Sequence, residues 1–149
     1  MKDGGGKRIV AIIPARLGSK RIPNKNRRSI LGKPLIAHTL ENATSAMNVD
    51  QVVVTTDDPQ IEVIAHEYGA RVIQRPKNLA SDEASSESAL NHALDHLEAE
   101  NRSPIEAVVF LQCTSPVRRT SDIDNAIRIF REESHDCVFS CSRFRRYIW

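Results

Sequence analysis

Residues 8–14 read RIVAIIP, and residues 15–33 continue ARLGSKRIPNKNRRSILGK. The first stretch is a β-branched apolar run closed by Pro14, which is the pattern of a short buried strand. The second is basic and punctuated by Gly, Pro and Asn, so it reads as a loop. The same step from apolar strand to loop or helix repeats along the chain. Residues 34–47 carry Leu35, Ile36, Leu40 and Ala43 near helical spacing, with Pro34 in the favoured first turn. QVVVTT at 51–56 is a second strand, after which Asp57-Asp58-Pro59 can cap and start a helix through Ile61, Ile64 and Ala65. Tyr68-Gly69 ends that helix, with glycine in the left-handed position that follows it.

Residues 71–73 form a third strand, 75–86 a loop, and 87–100 a helix with Leu90, Ala93, Leu94 and Leu97 on one face. EAVVFLQ at 106–112 is the most apolar strand, CTSPVRRTS a further loop, and 122–132 a helix striped by Ile123, Ala126, Ile127 and Phe130. CVFSC at 137–141 reads as a fifth strand. Strands alternating with amphipathic helices predict an α/β fold, a mainly parallel sheet covered on both faces. Neither a repeat nor a linker interrupts it, so residues 1–149 are read as one domain, with 1–7 a mobile start.

The chain has 149 residues, 40% hydrophobic and 27% charged, with a mean hydropathy of −0.38. A chain of that size buries about 68–70% of its unfolded surface. The composition excludes a disordered tail, a collagen-like repeat and a coiled coil. No apolar run exceeds five residues, too short to span a bilayer or to serve as a secretory core. The expectation is a cytoplasmic protein that does not engage membranes. Cys113, Cys137 and Cys141 form an odd set without a CxxC pair and read as buried reduced thiols. The five histidines, His38, His66, His92, His96 and His135, read as solvated.

Charge is unevenly spread. Residues 4–40 hold nine basic and no acidic residues, whereas 41–149 hold 11 basic and 18 acidic, so a basic head precedes a body of charge −7. Such a head fits a polyanionic partner bound in one place. Aromatics are only 5% of the chain, which argues against a stacking platform for nucleic acid and for a small phosphate-bearing ligand. In parallel sheets ligands bind beyond the carboxyl ends of the strands. That edge would carry the loop after Pro14, the 75–86 loop, the loop after Gln112 and, as a fourth candidate, the Asp57 turn.

The loop after Pro14 is neither a dinucleotide fingerprint, since GxGxxG is absent, nor a P-loop, since Gly-Ser-Lys opens no helix. Gly18 and Ser19 permit close approach of a phosphate, and Arg16, Lys20, Arg21 and Lys25 would repel one another without an anion. A solvated basic turn is the plain alternative. Ser81, Asp82 and Ser86 are polar candidates in the 75–86 loop; any of them could instead cap the helix that follows, and for one of the three the cap is the favoured reading. Gln112 stands at the mouth of a strand, although Ser115-Pro116 is also ordinary turn chemistry. Asp57 and Asp58 could hold Mg²⁺ or make a helix cap, and the cap is the favoured reading.

Four ordered stretches, IIPARLGSKRIPNKN with LGKPLIAHTLENA, VVVTTDDPQIEVIAHEYGA, RPKNLASDEAS and LQCTSPVRRTSDIDNAI, resemble the bacterial sialic acid cytidylyltransferases over residues 8–140. SKRIPNKN and QCTSP side with the sialic, pseudaminic and legionaminic acid branch rather than with the Kdo enzymes. The resemblance implies a Rossmann-like, GT-A-like nucleotidyltransferase fold of three α/β/α layers. It implies transfer of CMP from CTP to a nine-carbon 2-keto sugar acid with release of pyrophosphate, by a homodimer, for surface glycan and lipopolysaccharide biosynthesis. Arg16, Lys20 and Lys25 would be catalytic, stabilising charge on the departing pyrophosphate together with Ser19, and Lys25 would contact the α-phosphate. Asn26 would hold ribose or base, Arg75 the cytosine, Ser81 and Ser86 the nucleotide, and Gln112, Thr114 and Ser115 the sugar.

Two departures accompany the resemblance. Leu17 stands where that branch commonly has a second glycine, which is expected to narrow or re-aim the loop. Family members also continue well past residue 149, through a dimerisation and sugar-binding segment that carries the Asp pair for Mg²⁺ and basic residues for the sugar carboxylate. Residues 143–149 would begin that segment, so the Mg²⁺ ligands are expected to be missing here. A catalytically incomplete CTP-binding module, or an enzyme for pseudaminate, legionaminate or Kdo, is therefore an alternative. An oxidoreductase on a dinucleotide fold is a further one, disfavoured by the missing glycine fingerprint.

Overall fold

The computed structural model describes residues 7–19, 21–81, 83–100 and 103–141. The expectations placed on residues 1–6 and on 142–149 lie outside the described residues. β1 (Arg8–Pro14) is followed by a short hairpin, β2 (Ser29–Ile30) and β3 (Lys33–Pro34), then α1 (Leu35–Thr44) and β4 (Gln51–Thr56). α2 (Pro59–Glu67), β5 (Arg71–Gln74), α3 (Ser86–Glu98), β6 (Ile105–Phe110) and α4 (Thr120–Glu132) complete the order. The main sheet is parallel throughout, in the order β5-β4-β1-β6.

The period of two in β1 divides the core. Ile9, Ala11 and Ile13 face one side, where Leu35, Ile36, Leu40, Ile61, Ala65, Ile123 and Ile127 from α1, α2 and α4 close over them. Val10 and Ile12 face the other side, where Ala93 and Leu97 of α3 cover them with Val53 and Ile73. The result is the expected three-layer α/β/α arrangement with a parallel sheet. Burial on both faces explains why β1 and β4 are continuous apolar runs rather than alternating ones.

Helix ends follow local chemistry. Asp58 caps α2, its Oδ1 accepting from Gln60 N at 2.9 Å, and Pro59 takes the first helical position. At the other end Gly69 has φ +73°, with Gly69 N donating to His66 O and Ala70 N to Ala65 O, a Schellman ending.

Several expectations are corrected. α1 ends at Thr44, three residues short of the predicted helix. The supposed loop contains the β2–β3 hairpin, whose Leu31 (φ 51°) and Gly32 (φ 85°) form a two-residue turn with both central residues left-handed. Leucine is an unusual occupant of the position that asparagine normally takes, so sequence pattern gave no signal for it. CVFSC is not a strand: residues 137–141 are irregular, Phe139 is 81% exposed, and Cys137 and Cys141 are exposed. Among the described residues no strand lies there for a period-2 run of five residues to pair with, and of the three cysteines Cys113 alone is the buried thiol expected. Among the described residues β6 is the last strand of the sheet, and Val108 and Phe110, whose register partners Val10 and Ile12 face α3, are still 36% and 39% exposed. His38 is half-buried under the hairpin, its Nε2 2.8 Å from Ile30 O, and His92 is half-buried on α3, so these two are not solvated.

This asymmetry is measurable. Ile12→Ala, in the centre of the sheet, should cost about 2–5 kcal/mol of stability, and Val108→Ala at the open edge about 1 kcal/mol or less, read from urea unfolding. Equal losses at the two positions would contradict the edge placement of β6.

Candidate functional site

The sheet hands each loop its starting point. Backbone pairing runs past the strand ends: Ala15 N donates to Thr55 O at 3.0 Å, Arg75 N to Thr56 O at 2.8 Å, and Leu111 N to Ile12 O at 3.1 Å. Strand order reverses between β1 and β6, with β4 and β5 on one side and β6 on the other. A cleft of about 220 Å³ opens at that place, beyond the carboxyl ends of the strands. A larger hollow of about 300 Å³ lies at the amino end of β4, where Arg71 is committed to Glu100, so it offers no comparable set of cations.

Arg16, Ser19, Lys25, Asn26, Arg75, Ser86, Gln112 and Thr114 all line the cleft, which brings together eight residues proposed from sequence. Ser81 does not line it; its Oγ donates to Asn78 O at 3.3 Å and completes the turn over Lys77–Leu79. Ser115 is not among the lining residues either, because its amide closes the turn onto Gln112 O. Lys20 lies outside the described residues. Neither Ser81 nor Ser86 caps α3. Ser85 does, accepting from Ser88 N at 3.1 Å, and it too lines the cleft. The Ser85-Ser86-Glu87-Ser88 run held that signal, but the predicted helix began one residue late.

The basic loop folds back on itself. Asn24 takes a left-handed conformation (φ 52°) and starts a 3-10 turn over Lys25–Arg27. Asn26 Nδ2 donates to Arg16 O at 3.3 Å, bracing the two limbs and leaving its Oδ1 free to accept. Arg16 Nη1 reaches Ala80 O at 3.4 Å across the cleft. Lys25 Nζ has no partner among the described residues. Gly18 does not need to be glycine for the fold, since a Cβ there would meet only Arg16 Nη1 at 3.8 Å. Leu17 does not narrow the cleft as expected: it is 41% exposed and is not among the lining residues.

Arg75 is 7% exposed. Its Nε donates to Thr55 Oγ1 at 3.3 Å and its Nη2 to Thr55 O at 2.6 Å. Both bonds use one edge of the guanidinium, leaving the end-on pair, Nη1 and the second Nη2 hydrogen, for two adjacent acceptors. Burial lowers its pKa, Asp57 opposes that shift, and the neighbouring Arg16 adds to it. Across the cleft Gln112 Oε1 accepts from Thr114 Oγ1 at 3.4 Å, and Arg118 Nη2 donates to Gln112 O at 3.4 Å. Cys113 forms part of the floor. Burial pushes its thiol up to about 12, although Arg118, Lys25 and Arg75 pull the other way.

The Asp57–Asp58 turn is not a metal site. Asp57 Oδ1 accepts from Leu17 N at 2.8 Å, and Asp58 caps α2 while its Oδ2 lies 2.9 Å from Arg27 Nε. Among the described residues no three His, Cys, Asp or Glu side chains converge to hold a metal. The described donors therefore do not fit Mg²⁺.

A cation-rich cleft at the switch point of a parallel sheet, with no acidic side chain among its described lining residues, places the chain in the class of α/β proteins that bind ligands beyond the carboxyl ends of their strands. Comparison with known proteins gives the family. Residues 10–145 match the cytidylyltransferase family, and the chain belongs to it. It is 41% identical over 137 residues to an N-acylneuraminate cytidylyltransferase of Escherichia coli, covering 91% of this chain and 32% of that one. It is 38% identical over 136 residues to a pseudaminic acid cytidylyltransferase of Campylobacter jejuni, covering 91% of this chain and 58% of that one. The solved structure of a CMP:2-keto-3-deoxy-manno-octonic acid synthetase complexed with CTP superposes with a TM-score of 0.70 at 30% identity, covering 86% of this chain and 49% of that one. The chain thus spans about a third to three-fifths of the length of these relatives.

The burial of Cys113 can be checked directly. A thiol held neutral to about 12 reacts slowly with a disulfide reagent at pH 8, because the thiolate is the nucleophile. The native chain should therefore titrate quickly at Cys137 and Cys141 alone, with Cys113 following only in denaturant. Rapid reaction of Cys113 in the native state would mean that the cleft floor opens.

Proposed function

We propose that this chain is the nucleotide-binding part of a cytidylyltransferase that moves CMP from CTP to a 2-keto sugar acid of the N-acylneuraminate type. The observation that carries the reading is the convergence of Arg16, Lys25 and buried Arg75 on one cleft, with no carboxylate among its described lining residues. In this reaction a sugar hydroxyl attacks the α-phosphate of CTP, the bond to the β-phosphate breaks, and pyrophosphate leaves with the electron pair. Negative charge grows on the departing group, and fixed cations and backbone amides stabilise it without reorganising. Lys25, whose ammonium has no partner among the described residues, is suited to the α-phosphate, and Arg16, Gly18 and Ser19 to the pyrophosphate.

Arg75 supplies base selection. The end-on edge of its guanidinium offers two donors, which match O2 and N3 of cytosine. Uracil places a donor at N3 and would face Arg75 with an unmatched hydrogen. Gln112 and Thr114 are assigned to the acceptor sugar. The pseudaminic acid relative, close in identity to the sialic acid one, favours pseudaminate as the second candidate substrate. We extend the reading to a cytoplasmic homodimer serving surface glycan and lipopolysaccharide assembly. Mg²⁺ belongs to it as the ion that accompanies a triphosphate, with none of the described residues offered as its ligand.

Calorimetry of the chain with CTP, UTP, ATP, GTP and NAD, each with Mg²⁺, tests the reading. CTP should bind selectively, and Arg75→Ala should weaken it roughly 10- to 100-fold while removing the preference over UTP. A folded chain that binds no nucleotide, or that prefers NAD, would refute it. Pyrophosphate release in the presence of N-acylneuraminate then separates a complete catalyst from a binding module. Gly18→Ala should change stability by about 0.5 kcal/mol or less yet weaken CTP, since the added methyl occupies space meant for phosphate.

A further inference from the structure

The two carboxylates at the β4–α2 turn grip the basic loop at both of its limbs. On the outgoing limb Asp57 Oδ1 accepts the Leu17 amide at 2.8 Å. On the returning limb buried Asp58 pairs with Arg27 Nε at 2.9 Å, and Arg27 Nη2 in turn donates to Asn24 Oδ1 at 2.8 Å. The turn itself is rigid, because Asp58 N donates to Thr56 Oγ1 at 3.0 Å and Asp58 starts α2. Leu17 sits between Arg16 and Gly18, which both line the cleft, while Leu17 does not. Taking the Leu17 amide leaves those of Gly18 and Ser19, which have no partner among the described residues, as the donors open to an anion.

We propose that Asp57 is a positioning residue for the nucleotide's β- and γ-phosphates: by holding the Leu17 amide it sets the outgoing limb so that Arg16, Gly18 and Ser19 face the cleft. The inference rests on the nucleotide reading above. It runs against simple electrostatics, which gives the proposal a sign that can be tested. A carboxylate near a triphosphate repels it, so if Asp57 acted through charge alone its removal would tighten CTP. Acting through the backbone, its removal frees the loop, and binding must then supply the ordering that the hydrogen bond had already supplied.

Asp57→Ala and Asp57→Asn separate the two effects, since asparagine keeps an Oδ1 acceptor for Leu17 and loses the charge. The readout is calorimetry of the full chain with CTP and with CMP, which lacks the β- and γ-phosphates. Asp57→Ala should weaken CTP at least tenfold and leave CMP within threefold of the original chain. Asp57→Asn should bind CTP at least as tightly as the original chain, a rescue that a lost ion pair would not give. Equal weakening in both variants, or unchanged CTP affinity in Asp57→Ala, overturns the proposal. If the unsubstituted chain binds no CTP, the nucleotide reading falls and this proposal falls with it. Hydrogen exchange at the Leu17 amide needs no variant: protection beyond that of an open loop amide is expected, and exchange at the open-loop rate overturns the anchor even if Asp57→Ala fails to fold.

Discussion

Everything at the binding edge is measured from β1. It pairs with β4 on one side and β6 on the other, and both of its faces are fully buried. A slip of one residue would turn Ile9, Ala11 and Ile13 toward α3 and drive Val10 and Ile12 into the opposite layer, exchanging large side chains for smaller ones in two packed cores at once. The register is therefore fixed more firmly than any single hydrogen bond could fix it. Because the sheet is parallel, the same register fixes where three loops begin, at Ala15, Arg75 and Leu111. The site inherits its precision from the core, and the loops have only to fold back from anchored ends.

That constraint meets a second one, the mutual repulsion of cations drawn to one edge. Arg16, Lys25 and Arg75 share a cleft with no acid among its described lining residues, and burial together with Arg16 already lowers the pKa of Arg75. Among the described residues, the carboxylates of Asp57 and Asp58 that oppose this charge stand behind the loop. Asp58 is 3% exposed and paired with Arg27, which itself does not line the cleft. Breaking such a buried pair by removing one partner is far more damaging than replacing both, because an uncompensated charge remains inside. The arrangement keeps the loop in place and still leaves Lys25 without a partner among the described residues, available to an incoming anion.

How much of this was legible depends on range. RIVAIIP, QVVVTT and the capped helix at Asp58–Gly69 are local signals, and each formed the element that its pattern implied. Eight cleft residues were also recoverable, because loops after parallel strands share one edge by topology and the family resemblance named residues within those loops. Contacts between loops were not legible. Nothing near Asp57 in sequence reveals that the donor it accepts from is the Leu17 amide, forty positions away. The β2–β3 hairpin escaped notice because Leu31-Gly32 lacks the usual asparagine, and CVFSC was misread because alternation says nothing about whether a partner strand exists. The position of Ser81 outside the cleft lining was illegible for a related reason: its hydroxyl donates within a turn only three residues long.

Leu17 shows why a departure in sequence need not be a departure in function. A glycine is required where φ is positive or where a Cβ would collide, and Leu17 is not among the residues with positive φ. The loop uses this residue only through its amide, which any amino acid but proline can supply. Its side chain points away from the cleft into partial solvent, 41% exposed. The physical demand at this position is thus a backbone donor aimed at Asp57, and leucine meets it as well as glycine does. The cost falls elsewhere, in an apolar side chain left partly in water. Its position beside the phosphate-facing residues makes proline, rather than any bulky residue, the substitution that the loop could not absorb.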